Sequence, residues 1–221
     1  MKISHRRMIA ATVLTVASAL TTSGAQAQSF YLGGSAGNSS IKLNSQDFLT
    51  DIQNPVNDEK DTGLKLFGGY RFGELLSVEA GYADLGKASS RYTNGNFYDN
   101  REQKASAWFS AIKADLPLGS TGLSAFGKLG LAYKKASQTH TASAANLGYL
   151  CKTCSGSKTS TDLYYGVGMQ YDVSKQVSLR IEYEDFGNFG NKFSYDASGA
   201  ETAGSGRSKV QLWSIGVAFA F

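Results

Sequence analysis

The feature that most limits what this chain can fold into is an alternation of two kinds of side chain. In residues 210–221, VQLWSIGVAFAF, bulky apolar residues from Trp213 to Phe221 alternate with small ones. A period of two is typical of a β-strand whose two faces meet different surroundings. The same alternation recurs along the chain in segments of about ten residues, and a helical period is almost absent. The sequence therefore predicts an all-β protein.

The connections between these segments alternate in length. Three are tight turns, at residues 73–75, 117–121 and 174–176, and the others are polar stretches of about 15 to 27 residues. Short turns at one end and long loops at the other predict an antiparallel up-and-down meander with two unlike ends. We expect eight strands, at residues 29–39, 62–72, 76–86, 104–116, 122–134, 161–173, 177–187 and 208–221.

Two of the predicted strands resemble each other. LSVEAGYADLG at residues 76–86 and VSLRIEYEDFG at residues 177–187 align without gaps at an offset of 101. The likeness indicates either an internal repeat of two four-strand halves or a chance similarity between two strands that share one alternation. The first alternative would give eight strands by an independent route.

Alternation alone is compatible with two kinds of barrel. A soluble lipocalin-like barrel would turn the bulky face inward, whereas an outer-membrane barrel would turn it to lipid. The opposite face carries charges among Gly, Ala and Ser, which suit a crowded lumen. Strands of about 11 residues match a tilted bilayer crossing, and closure leaves no unpaired edge in hydrocarbon. We therefore predict an eight-stranded antiparallel transmembrane β-barrel.

Aromatic residues near the strand ends of the bulky face predict girdles at the two membrane interfaces. Trp213 precedes Phe221 by eight residues. This separation is roughly 20 Å along the membrane normal at a strand tilt of about 40°. The predicted girdle residues are Phe72, Tyr82, Tyr171, Tyr183 and Trp213.

The first 27 residues have the pattern of a secretory signal. Basic residues precede an uncharged run at residues 8–20, and Ala25-Gln26-Ala27 matches a small-x-small cleavage site. We expect cleavage after Ala27 and a barrel domain at residues 28–221. Loss of the three signal cations takes Lys+Arg from 22 to 19 against 18 Asp+Glu, so the net charge falls from +4 to +1. The basic balance therefore gives no support to nucleic-acid binding.

Charged residues on the small-residue face are predicted to point into the lumen. Because an eight-stranded barrel is only just wide enough for side chains to fill it, these charges need partners. Two interpretations remain open: a fixed ion-pair core, and a narrow conduction path gated by rearranging pairs. The predicted lumenal charges are Lys65, Arg71, Glu79, Lys113, Asp115, Lys128, Arg180, Glu182 and Glu184.

Several stretches together resemble the small outer-membrane barrels of Gram-negative bacteria. These are FYLGGSAG at residues 30–37, GLKLFGGYRF at residues 63–72 and the final GVAFAF. The resemblance is to the OmpA transmembrane domain, OmpX and the opacity-type surface proteins. It implies an outer-membrane location and a surface-exposed role. It also implies that the outer-membrane assembly machinery recognises the last aromatic residues, Phe219 and Phe221.

The long loops contain few residues suited to catalysis. His140 is the one histidine after residue 27, so a Ser/His/acid set for a lipid A-modifying hydrolase has little support. Cys151 and Cys154 could form a redox dithiol, a metal site or a small loop disulfide. We favour the disulfide, because no βαβ unit is predicted and a metal would need two further ligands. We expect no metal and no cofactor.

Basic residues near the long-loop end are candidate contacts for lipopolysaccharide phosphates, which bind Arg and Lys strongly. Ordinary snorkelling and solubility are an equal alternative. The sequence thus predicts an outer-membrane structural or surface protein whose loops bind lipopolysaccharide or an unidentified external partner. A low-conductance porin is the second candidate function and a lipid A-modifying enzyme the third. The candidate contacts are Arg101, Lys104, Lys134, Lys135, Arg207 and Lys209.

Overall fold

The computed structural model describes residues 30–43, 56–58, 60–94, 97–144, 154–190, 194–195, 201–203 and 208–221. The described residues form eleven β-strands: β1 (Phe30–Leu43), β2 (Val56–Asp58), β3 (Lys60–Arg71), β4 (Leu76–Asn94), β5 (Phe97–Pro117), β6 (Leu123–Ala144), β7 (Cys154–Asp172), β8 (Val177–Phe189), β9 (Ser194–Tyr195), β10 (Glu201–Ala203) and β11 (Ser208–Ala220). Within these ranges, no helix is long and apolar enough to cross a membrane.

Eight strands close into a barrel. Neighbours pair antiparallel in the order β1, β3, β4, β5, β6, β7, β8, β11, and β11 returns to β1. Of the three short strands, β2 extends the sheet beside β4, and β9 pairs with β10. The predicted all-β, eight-stranded antiparallel fold is confirmed. Closure satisfies the backbone groups that a lipid environment would leave unpaired.

The two ends of the barrel differ, as the connection lengths predict. At the short-turn end, residues 72–75, 118–122 and 173–176 join β3 to β4, β5 to β6 and β7 to β8. The backbone N–H of Leu118 donates to Leu123 O at 2.8 Å, and Gly119 and Gly122 adopt positive φ. At the opposite, long-loop end, the strands continue well past the predicted boundaries. β5 has 21 residues and β6 has 22.

The strands are longer than predicted because alternation reports the surroundings of a strand and not its hydrogen bonding. Pairing between β5 and β6 continues to Phe97↔Ala144. Beyond Trp108 and Tyr133, however, the outward side chains are polar, for example Lys104 and Lys135. A strand that leaves the hydrocarbon keeps its ladder but loses its apolar face, so the sequence signal ends at the membrane rim.

The barrel is inside out relative to a soluble protein. A belt of large apolar side chains is exposed on the outer wall, with Leu66 and Ile215 among the most exposed. The largest fully buried side chains include Arg180, Lys65 and Lys113. On β5, Trp108 and Ile112 face outward while Phe109 is buried. Such an arrangement is stable only where the outer wall meets lipid.

The resemblance between residues 76–86 and 177–187 extends to strand pairing. β3 pairs with β4 from Leu64↔Asp84 to Arg71↔Ser77, and β7 pairs with β8 from Tyr165↔Asp185 to Asp172↔Ser178. These two registers are identical at an offset of 101. Next along the barrel, Tyr82 lies opposite Trp108, and Tyr183 lies opposite Trp213. The internal repeat therefore covers three strands in each half, β3–β4–β5 and β7–β8–β11.

Each half also carries the same β-bulge. The register shifts after Asp84 in one half and after Asp185 in the other. In both, the Asp carboxylate accepts the N–H of the Gly two residues later, at 3.0 Å for Gly86 and 2.8 Å for Gly187. These glycines have φ of 74° and 72°, a region that favours glycine. Leu85 and Phe186 continue the inward alternation and are fully buried, and the bulge then shifts the alternation by one residue, so that Lys87 and Asn188 face outward.

Candidate functional site

Six charged residues form the middle of the lumen. Alternate positions of β3, β4, β6 and β8 point inward, so that three cations meet three carboxylates. All six side chains are at most 1% exposed. Their formal charges cancel. We name this set the central ion cluster: Lys65, Glu79, Lys128, Arg180, Glu182 and Glu184.

The central ion cluster is a continuous network of contacts. Lys65 Nζ lies 2.6 Å from Glu182 Oε2 and 2.7 Å from Glu184 Oε2. Lys128 Nζ lies 2.8 Å from Glu182 Oε2 and also binds Glu79. Arg180 Nη1 donates to Glu79 Oε2 at 2.8 Å. Every carboxylate thus has at least one cation within hydrogen-bonding distance, as desolvated charges require.

Two tyrosines complete the network. Tyr31 Oη donates to Glu79 Oε2 at 3.1 Å, and the Tyr164 hydroxyl donates to Glu184. Both rings are buried. The sequence does not single out either residue, because tyrosines occur on both faces of these strands. Strand parity places both side chains inward, unlike those of the girdle tyrosines, but only the closed barrel shows which carboxylate each one meets.

The remaining predicted lumenal charges lie toward the short-turn end and do not join the central ion cluster. Lys113 binds Asp115, and its Nζ lies 3.4 Å from Gln170 Oε1. Arg71 stacks over the Tyr31 ring, 5.4 Å from its centroid. Arg71 and Asp115 line an open cavity of about 1310 Å³ at this mouth of the barrel.

Toward the long-loop end, apolar side chains fill much of the lumen, and the buried polar residues Lys134, Gln103 and Ser208 lie among them. Phe109, Tyr164 and Phe186 pack against one another, with ring centroids 4.9 to 6.4 Å apart. Beyond them lies a second group with no exposed surface. These residues and Phe186 together form what we call the outer apolar layer: Ile41, Leu85, Phe186, Phe189, Val210 and Leu212.

The prediction that Lys134 contacts lipopolysaccharide is wrong. Its side chain is buried in the lumen, where Nζ lies 2.6 Å from Asn188 O, binds Asp162 and stacks over Phe189. Because successive residues of a strand face opposite sides, Lys134 and Lys135 cannot both lie on the outer wall. Lys135 is the outward one. The parity of the strand could have made this distinction from the sequence.

The other candidate lipopolysaccharide contacts divide into two groups. Lys104, Lys135 and Lys209 are exposed on the outer wall beyond the apolar belt. Arg207 lies outside the described residues, and Arg101 belongs to β5 without a described side chain. Three further outward lysines, Lys42, Lys60 and Lys87, are not among the predicted contacts.

Two other predictions concern residues at the limits of the described ranges. Cys151 lies outside them, and Cys154 begins β7 without a described side chain. The loop disulfide therefore stays a prediction. Among the residues that the structure describes, no group of three or more His, Cys, Asp or Glu side chains is arranged to hold a metal ion.

The predicted girdle residues lie at two levels of the outer wall. Phe72 and Tyr171 are exposed at the short-turn end. Tyr82 packs against Trp108, and Tyr183 against Trp213, each pair with ring centroids 5.0 Å apart. These two pairs occupy equivalent positions of the internal repeat, near the outer limit of the apolar belt.

A closed barrel with an apolar outer wall and a charged, side-chain-filled lumen defines an eight-stranded β-barrel of the bacterial outer membrane. The family model of the OmpA-like transmembrane domain matches residues 25–221. The chain therefore belongs to the OmpA-like transmembrane domain family. No curated protein matches the chain in a sequence search.

Solved structures of outer-membrane barrels resemble this one in fold. The chain is 12% identical to AlkL, with a TM-score of 0.51, covering 91% of this chain and 94% of AlkL. It is 16% identical to OprG of Pseudomonas aeruginosa, with a TM-score of 0.49 and coverage of 90% and 98%. It is 17% identical to Ail, the attachment invasion locus protein of Yersinia pestis, with a TM-score of 0.47 and coverage of 89% and 100%.

Proposed function

We propose that this protein is a structural, surface-exposed barrel whose lumen does not conduct and whose long-loop rim binds lipopolysaccharide. The observation that carries the proposal is the set of outward lysines just beyond the two Tyr–Trp pairs. Outer-membrane barrels direct their long loops to the cell exterior, so this rim faces the lipopolysaccharide leaflet. Lysine binds phosphate strongly, and phosphates are the anionic groups of that leaflet.

The filled lumen supports a non-conducting role. An ion that crosses the barrel would have to separate the pairs of the central ion cluster and then pass the outer apolar layer. Breaking a buried pair costs about 3–5 kcal/mol, and an apolar constriction excludes water. With the interior occupied, interactions with other molecules are left to the outer wall and the loops.

Lipopolysaccharide binding can be tested by titrating fluorescent lipopolysaccharide into the purified barrel in detergent micelles. We expect the combined variant Lys104→Gln, Lys135→Gln and Lys209→Gln to bind at least tenfold more weakly than wild type. The matched control is Lys175→Gln, an exposed lysine of the short-turn end. Equal binding by the triple variant and wild type would refute the proposal.

A narrow porin is the second candidate function, and one observation favours it. Among the described residues, five buried polar atoms on the adjoining strands β8, β11 and β1 have no hydrogen-bond partner. Buried polar groups are normally satisfied by protein or by water, so these atoms indicate hydration along one wall of the lumen. The atoms are Ser35 Oγ, Ser39 Oγ, Ser214 Oγ, Arg180 Nη2 and Glu182 Oε1.

Planar-bilayer recording separates the two functions. A sealed lumen gives no steady single-channel events. Steady events in wild type that are abolished in Arg180→Ala would refute the sealed lumen and support the porin.

We also propose that the protein is not an enzyme. His140 lies in β6, but its side chain is not among those described. The test is a lipid A mass spectrum from cells that express the protein. A spectrum identical to that of cells without it is expected, and loss or gain of an acyl or phosphate group would refute this proposal.

Recognition by the outer-membrane assembly machinery is proposed from the family resemblance. Phe219 and Phe221 are both about half exposed on the lipid-facing wall. We expect Phe221→Ala to lower the yield of membrane-inserted barrel more than it lowers stability. The control is Ile215→Ala, another lipid-facing residue of β11. Equal yields from the two variants would contradict a role in recognition.

A further inference from the structure

The internal repeat places two lysines, Lys104 and Lys209, at equivalent positions on the outer wall beyond the Tyr–Trp pairs. We infer that the barrel carries two phosphate-binding sites on opposite sides of the rim, each built around one of the equivalent lysines Lys104 and Lys209. One lies across β4, β5 and β6, and the other across β8, β11 and β1. This inference rests on the proposed binding of lipopolysaccharide and adds the residues and the number of sites.

The first site is a row of three outward lysines. Lys87 on β4 lies directly opposite Lys104 on β5, and Lys135 on β6 is the diagonal neighbour of Lys104. The Lys87 and Lys104 side chains are 57% and 67% exposed. Glu102 lies 3.7 Å from each ammonium group and does not neutralise the three cations.

The second site is built around the lysine that corresponds to Lys104. Lys209 on β11 lies directly opposite Lys42 on β1, and both side chains are exposed. Lys209 occupies the position of Lys104 in the repeat, because each precedes the Trp of its Tyr–Trp pair by four residues. Lys209 Nζ lies 2.9 Å from Asp185 Oδ2, so the two cations again exceed the one carboxylate.

Directly opposed lysines are unfavourable without an anion between them. Facing residues on adjacent antiparallel strands have Cβ atoms about 4.5–5.5 Å apart, and like charges at this spacing destabilise the sheet. The barrel has two such pairs, Lys87–Lys104 and Lys42–Lys209. Only Lys104 and Lys209 are equivalent in the repeat, because Asn188 stands where Lys87 would be and Ser137 where Lys42 would be. A phosphate that bridges the two ammonium groups of a pair converts this repulsion into two charge-assisted contacts.

The depth of both sites suits a lipid phosphate. Trp108 and Trp213 mark the outer limit of the apolar belt, and tryptophan favours the headgroup level. Lys104 and Lys209 are four residues farther along their strands. At about 3.3 Å per residue and a tilt of about 40°, this is about 10 Å along the membrane normal. A lysine side chain can reach back toward the interface from that height.

The ligand chemistry is a terminal phosphate group, which occurs as a monoester on lipid A and also as free inorganic phosphate. The carboxylates beside the lysines are held by the protein itself. In the second site, Asp185 also accepts from Tyr165 Oη at 3.0 Å and from Gln211 Nε2 at 3.1 Å. In the first, one carboxylate, Glu102, is shared between Lys87 and Lys104. The lysines of each site outnumber its carboxylate, so each site keeps a net positive charge for an added anion.

Native mass spectrometry of the detergent-solubilised barrel, titrated with lipid A to saturation, counts the sites. We expect two lipid A molecules bound to wild type. We expect one in Lys87→Gln/Lys104→Gln/Lys135→Gln, one in Lys42→Gln/Lys209→Gln, and none in the combined variant. Heat-modifiable gel mobility verifies that each variant is folded. The Lys→Arg versions of the same sets should keep two, because arginine also binds phosphate.

Further measurements show whether the bound phosphate belongs to a lipid or is free. They also show whether a negative result refutes the two sites or lipopolysaccharide binding as a whole. Dephosphorylated lipid A should not bind, and inorganic phosphate at millimolar concentration should not displace lipid A if the acyl chains contribute affinity. Two bound molecules in every variant would refute the two sites while leaving lipopolysaccharide binding intact. Failure of wild type to bind lipid A would refute the proposed function itself.

Discussion

Replacing one cation of the central ion cluster with a neutral residue should greatly lower the unfolding free energy of the barrel. Replacing a partner anion as well should restore most of that free energy. Lys65 contacts both Glu182 and Glu184. In Lys65→Met, these two carboxylates share Lys128, whose Nζ lies 2.8 and 3.6 Å from them. The cluster then carries an excess charge of −1 on side chains that are at most 1% exposed. The expected loss of unfolding free energy is about 3–5 kcal/mol.

The double variant Lys65→Met/Glu184→Gln restores neutrality. Two cations then face two carboxylates, and the amide oxygen introduced by Glu184→Gln would still accept the hydroxyl of Tyr164. Replacement of a buried pair by neutral groups of similar volume is often neutral or stabilising, so we expect the double variant within about 2 kcal/mol of wild type. Each single variant should be less stable than the double variant. This difference corresponds to a large favourable coupling energy between Lys65 and Glu184.

Urea unfolding in lipid vesicles, followed by tryptophan emission, measures these differences. At about 2 kcal/mol per M, a loss of about 4 kcal/mol lowers the urea midpoint by about 2 M. Lys175→Met, on the exposed turn between β7 and β8, is the control and should stay within about 0.5 kcal/mol of wild type. If the double variant loses as much as the two single variants together, the cluster is hydrated and the argument from desolvation is wrong.

Three further predictions test the bulge, the outer wall and the loop. Gly86→Ala should lower the unfolding free energy by about 1–3 kcal/mol in the same assay, because φ is positive and the added Cβ would lie 2.6 Å from Asp61. Gly127→Ala, with open space around it, should leave the unfolding free energy unchanged. Equal losses in the two variants would contradict backbone strain at Gly86. Lipids brominated near the headgroup should quench Trp108 and Trp213 more than lipids brominated at mid-chain, and an absence of quenching would contradict the inside-out wall. Thiol titration of the native protein should detect no free cysteine before reduction and two after it.

The sequence alone determined the parts of this protein that depend on local surroundings. Alternation is a direct record of lipid on one side of a strand and lumen on the other, so it located the membrane-crossing segments and the charges that point inward. Turn length located the two ends. Parity along β6 even contained the correct side for Lys134, since its neighbours on the strand face outward.

The tertiary structure decided what depends on pairing between distant strands. Lys65 meets Glu184 across 119 residues of sequence, and only the closed register brings them together. The same register sets Lys87 against Lys104 and Lys42 against Lys209, pairs that no spacing along one strand reveals. Strand length beyond the membrane was also invisible in the sequence, because hydrogen bonding continues where the apolar face ends. Side-chain pattern records what surrounds each strand, whereas the partners of each side chain are set by how the strands close into a barrel.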